Sequence, residues 1–454
     1  MKFVDMNYQL ILGKRINRAL ASVVKLLKNS LIVNSGYQLG IMLLGSIVGV
    51  FFWGLSARLY SPNDVGVATA ILSISQLLSG IAGLGLGMGL VRFLASSADP
   101  QEMLNNTLTM TVLSTLLVGI LYLLGIKFWT PTLNFLSQGF VIAIGFIGFL
   151  VINSLASQYQ AVFIAYRESR YAFWQVTLTN ISRIMLVIVF ISAGAQGIVA
   201  AVAVGMIFAI GLSQTRFLPI VIKGCRLRPQ LSINVIKSLM PYSFANHIAD
   251  FLYRAPVLIT PPLVLELLGA KFSAHVYIAW MFGSLIASPG QALAGAAYAE
   301  GSNSPDDLQQ ILIRSTRYGV GVTVLLAVIV GIGSPWALEL FGKSYSTGIV
   351  ALFRLFAIAS PFMVVNMIYF TALRVLQRIG ELILLSASSA FITLAITYFG
   401  IQHIGLESIG IGWMVSQVLI TLVASRHYIL NRFNLNKKDK GIAITKTSAD
   451  ILQK

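Results

Sequence analysis

Apolar stretches of about twenty residues, each ended by a knot of polar or charged side chains, recur along this chain. Charge-free runs cover 29–57, 65–91, 103–126, 128–166, 184–215, 272–299, 318–338, 355–373, 382–406 and 408–425. About twenty apolar residues in helical form cross the hydrocarbon core of a bilayer. The long run 128–166 opens with Thr130, Pro131, Asn134 and Gln138, which read as a loop on the outer side followed by one span. Adding spans interrupted by single charges, the pattern predicts twelve helices. They cover 36–57, 65–93, 106–126, 138–165, 172–194, 197–215, 240–265, 273–298, 315–334, 348–373, 381–400 and 405–429. The fold class is all-α and polytopic, with about twelve transmembrane helices.

The order of these segments suggests two lobes. Residues 31–215 form an N-lobe of helices one to six, 216–239 a basic linker, and 240–430 a C-lobe of helices seven to twelve. At an offset of 207, Gly83 faces Gly290, Asp99 faces Asp306, Gly205 faces Gly412, and Ala165-Tyr166-Arg167 faces Ala372-Leu373-Arg374. Six spans is an even number, so the halves are parallel repeats about an axis along the membrane normal, around a central cavity. In the preceding segment, 1–30, Leu12, Ile16, Leu20, Val24 and Leu27 fall at helical spacing with lysines and arginines on other faces. That is the pattern of an amphipathic helix on anionic lipid. The tail 431–454 is polar and basic.

Composition agrees. Hydrophobic residues make up 57% of the chain and charged ones 10%, with a mean hydropathy of +0.82. A soluble domain carries roughly 25% charged residues. The net charge of +17 does not indicate nucleic acid, because the basic residues sit between apolar runs instead of forming one patch. They report orientation: with the N-terminus cytoplasmic, 25 of the 32 Lys and Arg residues fall on the inner side. Outer loops hold Arg58, Lys127, Lys271 and Lys343. The expected location is the inner (plasma) membrane, multi-pass, with both termini cytoplasmic. The single cysteine, Cys225, excludes a disulfide framework and a multi-cysteine metal site; no metal ligand set and no cofactor are expected.

Charge at membrane depth costs at least ~2.5–3.5 kcal/mol near a helix centre, so each instance is a candidate site. Arg183, Asp250, Arg254 and Arg354 qualify. In the seventh helix Ser243, His247, Asp250 and Arg254 recur at i, i+4, i+7 and i+11, a stacked stripe. Asp250 precedes Arg254 by four, the favourable order for an intrahelical ion pair. Pro256 and Pro261-Pro262 follow and are expected to kink or break that helix. The functional reading makes Asp250 and His247 gating or ion-coupling groups, and Arg183, Arg254 and Arg354 ligands for an anionic cargo. The structural reading makes Asp250–Arg254 helix glue, His247 a packing residue, and Arg354 a side chain snorkelling outward. At the 207 offset the mates of Asp250, Arg254 and Arg183 are Leu43, Ile47 and Ala390, so the repeat itself does not require the charges. Asn180, Gln76 and Asn153 are secondary candidates for cargo contact.

Other classes are disfavoured. The chain holds no phosphate-binding Gly-x-x-x-x-Gly-Lys-Ser/Thr loop. No predicted outer loop exceeds about fifteen residues, and no paired carboxylates are placed for acid–base work.

Residues 57–66, Ala-Arg-Leu-Tyr-Ser-Pro-Asn-Asp-Val-Gly, resemble the A-R-x-x-x-P-x-x-x-G turn of the Wzx-like polysaccharide transporters, oligosaccharide-lipid flippases of the multidrug/oligosaccharidyl-lipid/polysaccharide (MOP) exporter superfamily. Arg314-Ser315-Thr316-Arg317-Tyr318, Glu339-Leu340-Phe341-Gly342 and Tyr345 extend the likeness, which runs over most of 30–430. The resemblance implies a polyprenyl-pyrophosphate-linked oligosaccharide as cargo (an O-antigen, capsule or exopolysaccharide unit) moved to the outer leaflet by alternating access. It further implies membrane lipids, a polysaccharide polymerase and other envelope glycan-assembly proteins as partners. A H⁺- or Na⁺-coupled drug or metabolite antiporter of the same superfamily is the alternative, and a membrane glycan polymerase a more distant one.

Overall fold

The computed structural model describes residues 30–342, 345 and 348–429. The predicted amphipathic segment, the tail and Lys343 therefore lie outside the described residues, apart from Ser30. Among the described residues there are fourteen α-helices and no strand. They are α1 Ser30–Leu59, α2 Pro62–Gly83, α3 Leu86–Phe93, α4 Pro100–Trp129, α5 Phe140–Ala165, α6 Ser169–Val189 and α7 Gly194–Leu212, then α8 Leu218–Val221 and α9 Ile233–Leu268. The last five are α10 Ala270–Asn303, α11 Leu308–Glu339, α12 Val350–Val375, α13 Ile379–Ile404 and α14 Glu407–Ile429. All except α3 and α8 are long and alternate in direction. One face of the molecule therefore carries residues 30 and 429, called the terminal face below; the other is the opposite face.

Among the described residues eleven helices are long and apolar enough to cross a membrane. The remaining long one, α10, spans 34 residues, about 50 Å at 1.5 Å per residue. Its sequence is more polar because His275, Ser284, Ser288 and Gln291 interrupt it.

Two predicted features differ. The helix expected over 65–93 breaks after Gly83, where Leu84 (φ 49°) and Gly85 (φ 72°) are left-handed. A Cβ on Gly85 would lie 2.4 Å from the Ser243 carbonyl oxygen and 2.6 Å from His247 Cβ, so α9 crosses directly over this turn. Conversely, α9 runs unbroken through Pro256, Pro261 and Pro262. Hydroxyls bond to the backbone beside the prolines: Thr260 of α9 itself donates to the Pro256 carbonyl at 2.8 Å, and Ser273 of α10 to that of Pro261 at 2.9 Å, which fastens this stretch to α10. Proline inside a span is tolerated when packed helices and Ser/Thr hydroxyls serve the backbone.

The repeat is visible in the turns. After α5, Glu168 N–H donates to Phe163 O at 2.8 Å with Arg167 left-handed; after α12, Arg378 N–H donates to Leu373 O at 2.8 Å with Gln377 left-handed. Here the offset is 210 and not 207. Arg183 counted from its turn therefore corresponds to Thr393, buried and uncharged, and not to Ala390.

The core is asymmetric across the membrane. Near the opposite face one apolar cluster joins both halves, from Phe52, Tyr60 and Val65 to Trp280, Phe353 and Trp413. Near the terminal face the halves keep separate clusters, one around Leu90, Leu104 and Tyr159 and one around Leu312, Val364 and Tyr369. Three contacts tie the halves at the opposite face. Gly66 meets the Ala270 carbonyl so closely that a Cβ would lie 1.7 Å from it. Glu266 accepts from Thr132 N–H at 3.0 Å and from its hydroxyl at 2.8 Å. Arg58 Nε donates to Leu340 O at 3.0 Å. Helix α1 leans toward α10 and α11 only in this half, at Gly49, Trp53, Gly54 and Arg58, while Asn34 and Gln38 bond to Ser169 of α6.

The connection to α9 is pinned along α4. Gln101 and Asn105 amides donate to Arg226 O, both at 3.3 Å. Arg228 N–H donates to Asn105 Oδ1 at 3.2 Å and Gln230 N–H to the Thr109 hydroxyl at 3.0 Å. Ser232 N–H, one residue before α9, donates to Asn106 Oδ1.

Candidate functional site between the two halves

Helix α9 is the boundary element, and its polar stripe divides. Ser243 is fully buried against α3, where a Cβ on Gly89 would lie 2.6 Å from its hydroxyl. His247 Nε2 lies 2.8 Å from Gly80 O of α2, and its ring lies 6.2 Å from that of Phe251. It is held as a packing residue between halves. Asp250 does not pair with Arg254 as the i, i+4 spacing predicts. Its carboxylate takes Arg374 of α12 instead, an ion pair about one-third exposed on each side. The reason is geometric: Arg374, at the end of α12, reaches across to Asp250, whereas Arg254 continues the face of α9 that His247 and Phe251 turn toward α2.

Arg254 is exposed and makes no ion pair with a described residue. The register places it. His247 and Phe251 both meet Gly80, and Arg254 continues that face one turn further toward the opposite side. Because α2 runs antiparallel, the residue one turn from Gly80 in that direction is Gln76. Gln76 is exposed although α2 is enclosed by α4, α5, α7, α9 and α10. Arg254 and Gln76 thus border the same gap between halves. On α5, Asn153 donates to Ser79 of α2 at 3.4 Å.

Arg183 is deeper in the protein. Its guanidinium lies 4.7 Å over the Phe52 ring, with Tyr277 of α10 as its electrostatic neighbour and the Trp53 ring tilted against Tyr277 at 4.8 Å. Its Nε is buried and unbonded. A cation–π contact offsets part of the desolvation, ~2 kcal/mol where water is excluded; no carboxylate does so among the described residues. Asn180, one turn away, is buried. Arg354 lies in the second turn of α12 from the opposite face, exposed beside Ile358. Arg374, Glu266 and Thr132 were not singled out by sequence reasoning, because at helix ends polar residues are expected and carry no signal. Among the described residues there is no group of three metal-ligating side chains.

Solved structures share this two-lobed helical arrangement. No protein-family model matches the sequence, and no curated protein matches it. The chain is similar to the lipid II flippase MurJ in an inward closed conformation, with TM-score 0.68, 12% identity and 88% of each chain covered. It is similar to a multidrug-resistance MATE transporter of the MOP superfamily, inward-facing, with TM-score 0.60 and 14% identity over 92% of this chain and 96% of that one. A Vibrio cholerae MATE transporter aligns with TM-score 0.61 and 15% identity over 90% and 98%. At these identities the shared property is the fold, all-helical and two-lobed, and its solved examples are transporters and not enzymes.

Proposed function

We propose that this protein is a flippase that moves a polyprenyl-pyrophosphate-linked oligosaccharide from the cytoplasmic to the outer leaflet of the inner membrane, with its terminal face cytoplasmic. The observation carrying this reading is the charge of the inter-half region: Arg183 is half-buried, with its Nε enclosed and no carboxylate partner among the described residues, and Arg254 faces the gap beside Gln76. The one carboxylate nearby, Asp250, is already taken by Arg374. A net cationic gap suits a pyrophosphate, which cannot enter hydrocarbon uncompensated and which arginine binds through a planar fork. The separate apolar clusters at the terminal face fit a state open toward the cytoplasm, where such a cargo would load. Outward movement of about two negative charges gains ~4–5 kcal/mol per 100 mV, inside negative. Asn180, Asn153 and Arg354 are assigned to the glycan and to the path outward.

The antiporter reading draws on the likeness to multidrug transporters and needs Asp250 free to bind H⁺ or Na⁺. One experiment separates the two: export of surface glycan in a strain lacking its own flippase, alongside drug susceptibility, for wild type, Arg254→Ala and Asp250→Asn at matched membrane abundance. The flippase reading expects Arg254→Ala to abolish glycan export with drug susceptibility unchanged. Full export by Arg254→Ala rejects it; loss of drug resistance in Asp250→Asn, without effect on glycan, supports the antiporter.

A further inference from the structure

Helix α11 packs on α10 and α12 and leaves its other flank open. At its terminal-face end Gln310, Ile313, Arg314, Arg317 and Tyr318 line a groove of about 230 Å³, below the roughly 300–1,000 Å³ of whole-ligand pockets. The spacing of three or four residues puts all five on one helix face. Arg314 is anchored by two hydrogen bonds to Glu300 of α10, at 2.9 and 2.8 Å, with its side chain still 59% exposed. Arg317 is exposed and makes no ion pair with a described residue. The three groups together leave one positive charge uncompensated.

The groove does not end at the charges. From Tyr318, 64% exposed, the same face continues through exposed Val322, Leu325, Ile329 and Ile332 to Trp336. The intervals alternate between three and four residues, so these side chains form a straight apolar track along the length of the span. A cationic head at the bilayer interface, an aromatic ring beside it and an apolar track leading inward match a lipid-borne phosphate better than a free anion, which would use the head and leave the track idle.

We propose that this flank of α11 is a binding site for an anionic phospholipid. Arg314 and Arg317 hold the headgroup phosphate with Gln310 as a neutral donor, Tyr318 sits at the glycerol level, and one acyl chain lies along Val322 to Ile332. Arg314 is pre-oriented by Glu300, so less side-chain freedom is lost on binding. The site is on the lipid-facing surface, away from the gap between halves, and is independent of what the protein carries.

The test is native mass spectrometry of the purified full chain in mild detergent, titrated with dioleoyl phosphatidylglycerol, its dihexanoyl analogue and inorganic phosphate. One dioleoyl phosphatidylglycerol should bind ahead of the others. An arginine near an anionic headgroup contributes about 1 kcal/mol, so Arg314→Gln/Arg317→Gln should weaken that binding roughly tenfold after the Glu300 offset. Arg317→Gln alone, which breaks no ion pair, should weaken it severalfold, and Arg317→Lys should restore most of it. Arg216→Gln/Lys223→Gln, two exposed charges on the same face, should stay within twofold of wild type. Equal weakening by both double variants would reduce the effect to general surface charge and overturn the proposal. Dihexanoyl lipid or inorganic phosphate binding as tightly as the dioleoyl lipid would overturn the role of the track.

Discussion

Glu266 offers the sharpest test of how the two halves are held. Its carboxylate, at the end of α9, accepts from both the N–H and the hydroxyl of Thr132, at 3.0 and 2.8 Å, on the far side of the inter-half boundary. Hydrogen bonds to a charged acceptor contribute about 1.5–3 kcal/mol, against about 0.5–1.5 for neutral pairs. Glu266→Gln keeps an acceptor but removes the charge, so two bonds weaken by about 1 kcal/mol each; discounting for solvent at this partly exposed site leaves roughly 1–1.5 kcal/mol. That is close to a tenfold change in the equilibrium between closed and open arrangements of the opposite face. Spin labels at Ser137→Cys and Lys271→Cys, in a Cys225→Ser background, report the separation by pulsed dipolar spectroscopy. Both positions are exposed and lie one on each half. The long-distance population should rise about tenfold in Glu266→Gln, and further in Glu266→Ala. Populations within twofold of wild type in both variants would refute the assignment of this contact as a closing element.

Four further outcomes follow from the same contacts. Arg183→Met removes a half-buried cation that no described carboxylate neutralises, so melting in detergent should rise by about 1–3 °C while glycan export is lost; unchanged export would remove Arg183 from the cargo path. Asp250→Asn leaves Arg374 uncompensated and should cost about 1–2 kcal/mol after allowance for its one-third exposure, with Asp250→Asn/Arg374→Gln recovering part of it in a double-mutant cycle. Gly85→Ala must hold a positive φ and displace the Ser243 carbonyl, so folded yield should fall sharply by detergent size-exclusion chromatography. Burial raises the Cys225 thiol above its ordinary range, so the thiol stays protonated at neutral pH. Maleimide labelling in inverted vesicles should therefore be slow at pH 7 and climb as pH rises past 9, and it should be absent in intact cells.

Helix existence was legible because most spans are charge-free runs and the rest carry one or two charges, and eleven of the twelve expected spans pass by length and apolarity alone among the described residues. Helix ends and breaks were less so. The left-handed pair Leu84-Gly85 reads locally as one more small-residue step in an apolar run, and what forces it is α9, more than 150 residues later. The prolines of α9 misled in the other direction, since their cost depends on neighbours that a linear reading does not see. At the site, depth singled out Arg183, which lies over the Phe52 ring with no carboxylate beside it among the described residues. The partner of Asp250 was misread because spacing along one helix says which residues are adjacent, not which flank each neighbour occupies. Offset counting located the repeat but missed a slip of three residues in the turns after α5 and α12, enough to change the mate of Arg183.

The pinning of residues 226–232 along α4 has a consequence for the route a lipid-tailed molecule can take. With that connection tied down, with α9 seated on Gly80, Gly85 and Gly89, and with Gly66 against Ala270, the seam between α2 and α9 behaves like the spine of a book. A spine does not open; pages part at the other margin. That margin is the line between α1 and α10, which touch from Gly49 upward and diverge below it. On the proposed function, a cargo whose headgroup travels between the halves while its hydrocarbon tail stays in the bilayer needs a lateral slot, and among the described residues the line between α1 and α10 is where one would form.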